Sequence, residues 1–170
     1  MKKTLILAIG LATAMGLAAC STSRTSSPVQ QSAMHNSIEL SAYRWILSSV
    51  TSKGKAAAPA PVVGDNKPLV LDFSEQGVSV SGLCNQLGGS YRLDGRRISI
   101  SQMMGTLMAC ADSELMRYEQ QVGRQLPEVT HWRLEGHADA PVLVLTFADD
   151  NQWQLQGEPT AETPVSENRP

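Results

Sequence analysis

Charge is sparse in this chain and aromatic rings are sparser. Asp, Glu, Lys and Arg make up 18% of the 170 residues and Phe, Trp and Tyr only 5%, so a broad stacking platform for bases is excluded. No block of basic residues occurs. Arg96-Arg97 reads as an ordinary hairpin surface, and nucleic acid is not an expected partner. Catalytic signatures are missing too: there is no Gly-x-Ser-x-Gly elbow, no His-Glu-x-x-His, no phosphate-cradling glycine loop and no paired acidic motif on a helix. A nucleophile needs a base within reach and a third group to orient that base. The three histidines are scattered instead. His35 falls in a Ser/Thr-rich stretch, His137 in a Gly-His-Ala-Asp loop, and His131 alternates with Trp132 on a strand and so faces water. Asp149-Asp150-Asn151 lacks the twelve-residue calcium loop with its terminal glutamate and reads as a hairpin turn. No catalytic residue, cofactor or metal ligand is expected, and the chain is read as a non-enzyme.

What is present begins at the N terminus. Lys2 and Lys3 precede an apolar run over residues 4–17, and Leu17-Ala18-Ala19 leads directly into Cys20. The charged, apolar, small-residue order is that of an export leader. The run of about fourteen residues is short of the roughly 20 that a spanning helix needs. A cysteine right after Leu-Ala-Ala resembles the bacterial lipobox. That resemblance implies a leader over residues 1–19, removed, and a Cys20 carrying lipid. Two or more acyl chains give stable attachment where one is marginal. Ser21 follows the cysteine, and a non-aspartate there implies the outer membrane, facing the periplasm. Two of the fourteen basic residues leave with the leader, so twelve stand against sixteen acidic ones, a balance of −4.

Cysteines are few enough to assign. With Cys20 spent on lipid, Cys84 and Cys110 remain in an oxidising compartment, where disulfides persist, and an even remainder favours their pairing. Such a bond would stabilise by roughly 3–4 kcal/mol in the chain-entropy view. Two buried free thiols are the alternative. A metal site lacks the usual ligand spacing.

Residues 20–37 read as a flexible tether, since Ser and Thr supply seven of the thirteen residues 21–33; a coil of this length spans about 20–25 Å. Residues 157–170, with three prolines and three glutamates, read as a disordered tail. Between them, segments 43–50, 69–73, 77–82, 130–135, 142–147 and 152–156 alternate apolar and polar residues as half-buried strands do. Residues 91–100 form a hairpin, with Asp94-Gly95 as a type I′ turn. One helix is predicted after Asp112 or Ser113. Leu115, Tyr118, Val122 and Leu126 form its apolar stripe, and Pro127 ends it. Residues 52–68, with an Ala/Pro run, read as a long solvated insertion. The fold class that follows is α+β: a small antiparallel, barrel-like sheet of seven or eight strands with one packed amphipathic helix, curled to hide its edges.

One stretch is too patterned to be a plain connection. Gly82-Leu83-Cys84-Asn85-Gln86-Leu87-Gly88-Gly89-Ser90-Tyr91, with Thr106-Leu107-Met108-Ala109-Cys110 after it and Trp45-Ile46-Leu47 before it, resembles the META domain of the HslJ heat-shock family. Shared are a Cys-Asn step, a glycine and a tyrosine beyond it, and Thr-x-Met-Ala-Cys ahead of a helix with an early glutamate, here Glu114. Leu83 stands where a glycine is common, Leu87 where an aromatic is common. The domain expected on this ground covers residues 38–156. The resemblance implies a barrel-like envelope protein, with stress response a recurring theme and lipid-binding pilot lipoproteins similar in shape. Gly82, Asn85, Gly89, Tyr91, Thr106 and Met108 are then architectural: the glycines for positive φ or a bulge, Asn85 to fix the turn, Tyr91 to bury its ring. Met103, Met104, Leu107 and Met108 are expected to pack beneath the disulfide, the alternative being a Met-rich loop that adapts to irregular apolar partners. Two functions follow as expectations: contacts with an envelope protein during homeostasis or stress, or carriage of an acyl chain or apolar peptide inside the barrel. The state of the barrel interior, packed or open, separates them.

Overall fold

The structure, a computed structural model, describes residues 39–62 and 67–160. The leader, Cys20 and the tether lie outside the described residues, as do 63–66 of the insertion and 161–170 of the tail. In chain order the elements are β1 (Tyr43–Thr51), β2 (Ala58–Pro59), β3 (Val70–Ser74), β4 (Gly77–Ser81), β5 (Leu87–Gly89), β6 (Tyr91–Asp94), β7 (Arg97–Ile100) and β8 (Met104–Gly105). The helix α1 (Ser113–Gln125) follows, then a single 3₁₀ turn (Leu126–Glu128), β9 (Val129–His137), β10 (Ala140–Phe147) and β11 (Gln152–Pro159).

All eleven strands belong to one antiparallel sheet, curled into a half-barrel, in the order β6-β7-β9-β10-β11-β1-β3-β4-β5-β8 with β2 set against β1. The fold is mostly β, and the strand count exceeds the seven or eight expected. The extra three are β2, β5 and β8, of two or three residues each, too short to show a period of two. β2 also corrects the reading of residues 52–68 as a purely solvated insertion, because Ala58 and Pro59 pair with Val50 and Ser49 of β1. β5 and β6 are separated by Ser90 alone, so one stretch of chain pairs with β4 and then, past a bend, with β7. That bend brings the two ends of the sheet toward each other.

Alternation built the inner face. β7 buries Ile98 and Ile100, β4 buries Val78 and Val80, and β11 buries Trp153 and Leu155. With Trp45, Leu71, Leu143 and Leu145, and with Val122 from α1 and Leu126 from the 3₁₀ turn after it, these form one continuous core. Each such side chain stabilises by about 1.5–3 kcal/mol when removed from water. The buried Trp45 keeps its indole N–H satisfied, donating to the Leu40 carbonyl at 2.8 Å, as a buried tryptophan requires. Asp112 caps α1 by accepting from the Glu114 and Leu115 amides at 2.8 and 3.0 Å; such a cap stabilises by about 1 kcal/mol.

Two sequence expectations shift. The β6–β7 turn is Gly95-Arg96, since Asp94 pairs with Arg97, and only Gly95 has positive φ, at 57°. This is the II′ arrangement, with glycine first, in place of type I′ on Asp94-Gly95. Trp132 fixes the choice: its indole N–H donates to the Gly95 carbonyl and its amide to the Arg96 carbonyl, both at 3.0 Å. The tail boundary also moves. β11 runs through Gly157–Pro159, paired with Trp45, Arg44 and Tyr43 of β1, and the Thr160 amide donates to the Ala42 carbonyl at 3.0 Å. Gly-Glu-Pro-Thr offers one apolar side chain, the Pro159 ring, so backbone pairing there left no hydrophobic alternation to read.

Gly157 tests that boundary. It is buried, and a Cβ there would lie 2.9 Å from the Trp45 ring and 2.8 Å from Pro141 Cγ. Gly157→Val is expected to destabilise by about 1–3 kcal/mol through overpacking, read as a lower urea midpoint. A wild-type midpoint would show that this end of β11 does not pack on Trp45.

Candidate functional site

The segment after β4 turns sharply at Gly82, whose φ is 84°. A Cβ at that position would overlap the Pro68 carbonyl oxygen, so only glycine fits. The turn delivers Cys84 and Asn85 to the sheet edge where β5 and β8 pair. Cys84 is joined to Cys110 by a disulfide with Cα atoms 6.0 Å apart, inside the span that the covalent geometry permits.

Asn85 is the one buried polar side chain among the described residues, and three parts of the chain meet on it. Its carboxamide oxygen accepts from the Thr106 hydroxyl at 2.9 Å and from the Met108 amide at 2.7 Å. Its carboxamide nitrogen donates to Glu119 Oε1 at 3.0 Å, and its backbone amide donates to Glu119 Oε2 at 2.6 Å. Asn85 thus does more than fix a local turn; it ties the loop after β8 to α1. Glu119, which sequence reasoning missed, answers it from the helix. The glutamate expected from the resemblance, Glu114, is exposed and paired with Arg117 at 3.2 Å. A signal for Glu119 exists in hindsight, because positions 115, 119, 122 and 126 fall on one helical face, and a carboxylate inside an apolar stripe needs a partner.

The other motif residues are placed as follows. Gly89 lies in β5 opposite Val78. Tyr91 meets Phe73 edge-on, ring centroids 5.1 Å apart. Thr106 and Met108 sit in the loop that Asn85 holds. The methionine expectation is corrected. Met103 alone packs against the core, whereas Met104 is 78% exposed, Met108 61%, Leu107 fully so, and Met116 on α1 is also exposed. Asn85 draws the backbone of residues 106–108 inward, so the side chains at 107 and 108 point to water. Among the described residues no three His, Cys, Asp or Glu side chains come together as a metal site would need, and His131 and His137 are both on the surface.

A curled antiparallel half-barrel carrying one helix, with an Asn–Glu tie beside a disulfide at its edge, defines a class of β-rich domain. The META domain family model matches residues 38–160, and the chain belongs to that family. Heat shock protein HslJ of Escherichia coli (strain K12) is 26% identical over 90 residues, covering 53% of this chain and 59% of that protein; this chain therefore spans less than two thirds of that relative's length. The NMR structure of a protein from Burkholderia xenovorans, 21% identical, shares the fold, with a TM-score of 0.59 over 73% of this chain and 87% of that one.

Removing the Asn85 side chain leaves the Met108 amide and one Glu119 oxygen unmatched. Asn85→Ala is expected to destabilise by about 2–4 kcal/mol, since hydrogen bonds to a charged group and unsatisfied buried groups both weigh heavily. A loss below about 0.5 kcal/mol in urea unfolding would show that the tie is dispensable.

Two tyrosines give a pH dependence. Burial raises the Tyr118 hydroxyl above its ordinary 10.0; burial, then the Glu75 charge, raises Tyr91. The fold holds both protonated, so their contribution is complete below pH 10 and is lost as pH rises through the raised folded values. The wild type is expected to lose stability above about pH 10 more steeply than Tyr118→Phe. Parallel pH profiles would remove Tyr118 from the account.

Proposed function

We propose that this protein is a lipid-anchored envelope protein that acts by binding rather than catalysis, its META domain contacting another envelope protein through the loop between β8 and α1. The observation that carries the reading is the display of Met104 on β8 and of Leu107 and Met108 on the loop after it, which Asn85 and the Cys84–Cys110 bond pin. Large apolar side chains clustered in water mark interaction surfaces, methionine is enriched in interfaces, and its flexible thioether adapts to irregular partners. β8 also ends the strand order of the sheet, so its outer edge offers backbone groups to an extended apolar segment of a partner. A filled interior favours contacts over carriage of an acyl chain: the core runs without a break from Trp45 to Leu155. The anchor is Cys20, at the outer membrane facing the periplasm, and a role in stress response or envelope homeostasis is in keeping with the name of the relative, a heat shock protein.

The experiment places a photoreactive amino acid at Leu107 in living cells. A discrete protein adduct is expected, absent when Met104 and Met108 are changed to Gln, with the melting temperature of that double variant within about 2 °C of wild type. Adducts with lipid alone, or an adduct indifferent to the methionines, would overturn the contact reading. Independently, Cys20→Ser is expected to abolish palmitate labelling and membrane fractionation. Unchanged labelling would overturn the anchor.

A further inference from the structure

Methionine is distributed unevenly along this chain. Of the seven, Met1, Met15 and Met34 lie outside the described residues, and the other four fall between residues 103 and 116. Methionine ordinarily ranks with the most often buried residues and fills irregular gaps in cores. The buried core of this domain holds none; it is built from Leu, Val, Ile, Phe and Trp. Met104 is 78% exposed, Met108 61% and Met116 38%. Met103 is the shielded member of the group. It packs against the core, with its sulfur so near Gly89 that a Cβ there would lie 2.9 Å away.

That distribution decides what an oxidant meets. The methionine sulfur is soft and polarizable, and its oxidation turns a flexible apolar side chain into a polar one. The other oxidisable sulfur and indole groups of the described residues are withdrawn. Cys84 and Cys110 are already joined. Trp45, Trp132 and Trp153 are all buried, and the N–H groups of the first two donate to the Leu40 and Gly95 carbonyls. An oxidant arriving from water reaches the sulfurs of Met104 and Met108 first.

The fold does not need either sulfur. Met104 is paired with Gly88 through its backbone, and Met108 gives Asn85 its amide, not its side chain. Both arrangements survive when the sulfur gains an oxygen. What changes is the face shown to a partner. A sulfoxide oxygen accepts hydrogen bonds, and burying it against an apolar surface without a donor is costly.

We propose that Met104 and Met108 are sites of reversible sulfoxidation by oxidants of the hypochlorous acid class, and that the two sulfoxides release the partner without loosening the domain. The release rests on the contact reading above; the modification itself does not. In the forward step the O–Cl bond breaks and an S–O bond forms. Sulfur is oxidised, chlorine is reduced, and chloride and a proton leave. In the reverse step a pair of thiols removes the oxygen as water and ends as a disulfide, with one reductase for each sulfoxide epimer.

The test adds hypochlorous acid in small increments to the purified full chain and maps sulfoxides by mass spectrometry of its peptides. Met104 and Met108 are expected to convert at least about fivefold faster than Met103, following their exposure. The melting temperature is expected to stay within about 2 °C of the untreated protein, and methionine sulfoxide reductases A and B with a dithiol to restore the original mass. In cells, the photoreactive amino acid at Leu107 reports the contact. Its protein adduct is expected to fall at least about fivefold after a hypochlorite pulse, because the sulfoxides lack donors in an apolar interface. A variant carrying Met104→Leu and Met108→Leu, apolar but free of sulfur at both positions, should form the adduct equally before and after the pulse. Met103 converting as fast as Met104, or a melting temperature lowered by more than about 5 °C, would refute the modification sites. An adduct that persists in oxidised wild type, or that is lost equally in the leucine variant, would refute the release. Absence of any adduct in untreated wild type would overturn the contact reading and the release with it, while the sulfoxide map still decides the sites.

Discussion

A carboxamide is donor and acceptor at once, and the edge of this domain depends on having both at residue 85. The oxygen of Asn85 is taken by the loop after β8 and the nitrogen by Glu119 of α1. A carboxylate there would keep the first pair of bonds and repel the second; an apolar side chain would keep neither. The adjoining Cys84–Cys110 bond acts one residue away. The covalent link limits how far the loop can stray, and the amide sets which way it faces. Polar networks of this kind specify geometry strongly only when every member is satisfied, and here both oxygens of Glu119 and the oxygen of Asn85 are.

That division of labour separates stability from display. The core is made by strand residues together with Leu40, Leu69, Val122 and Leu126, and Met103, just ahead of β8, packs against it. Met104, Leu107 and Met108 are free of packing duties and can vary in shape without disturbing the sheet. A loop already held in place loses little conformational freedom when something covers it, which is how preorganisation raises affinity.

Sequence pattern carried as far as periodicity reaches. β3, β4, β7 and β11 are legible because a half-buried strand must alternate, and α1 because Leu115, Tyr118, Val122 and Leu126 recur on its period. Asp112 and Pro127 mark its ends by their own chemistry. What escaped was set by contacts distant in sequence. β2, β5 and β8 exist because a neighbouring edge was open to them, not because their few residues prefer to be extended. The Gly95-Arg96 turn is chosen over Asp94-Gly95 by Trp132, which lies 37 residues away. Glu119 meets Asn85 across 34 residues of chain, a pairing that no local pattern announces. Met104 and Leu107 look like core by composition, and only the hydrogen bonds of their backbone neighbours turn them outward.

β1 is flanked by β11 on one side and β3 on the other, and its register with β11 pairs Tyr43 with Pro159. The first strand of the domain and the last are thus hydrogen-bonded partners across nearly the whole chain. Pairings of such long sequence separation form slowly, because the intervening loop must be closed first. During synthesis from the N terminus, β1 emerges early and waits, with one edge exposed, until residues beyond 152 arrive. Loss of those final residues would therefore leave an open β1 edge, and an unpaired edge of that kind recruits foreign strands.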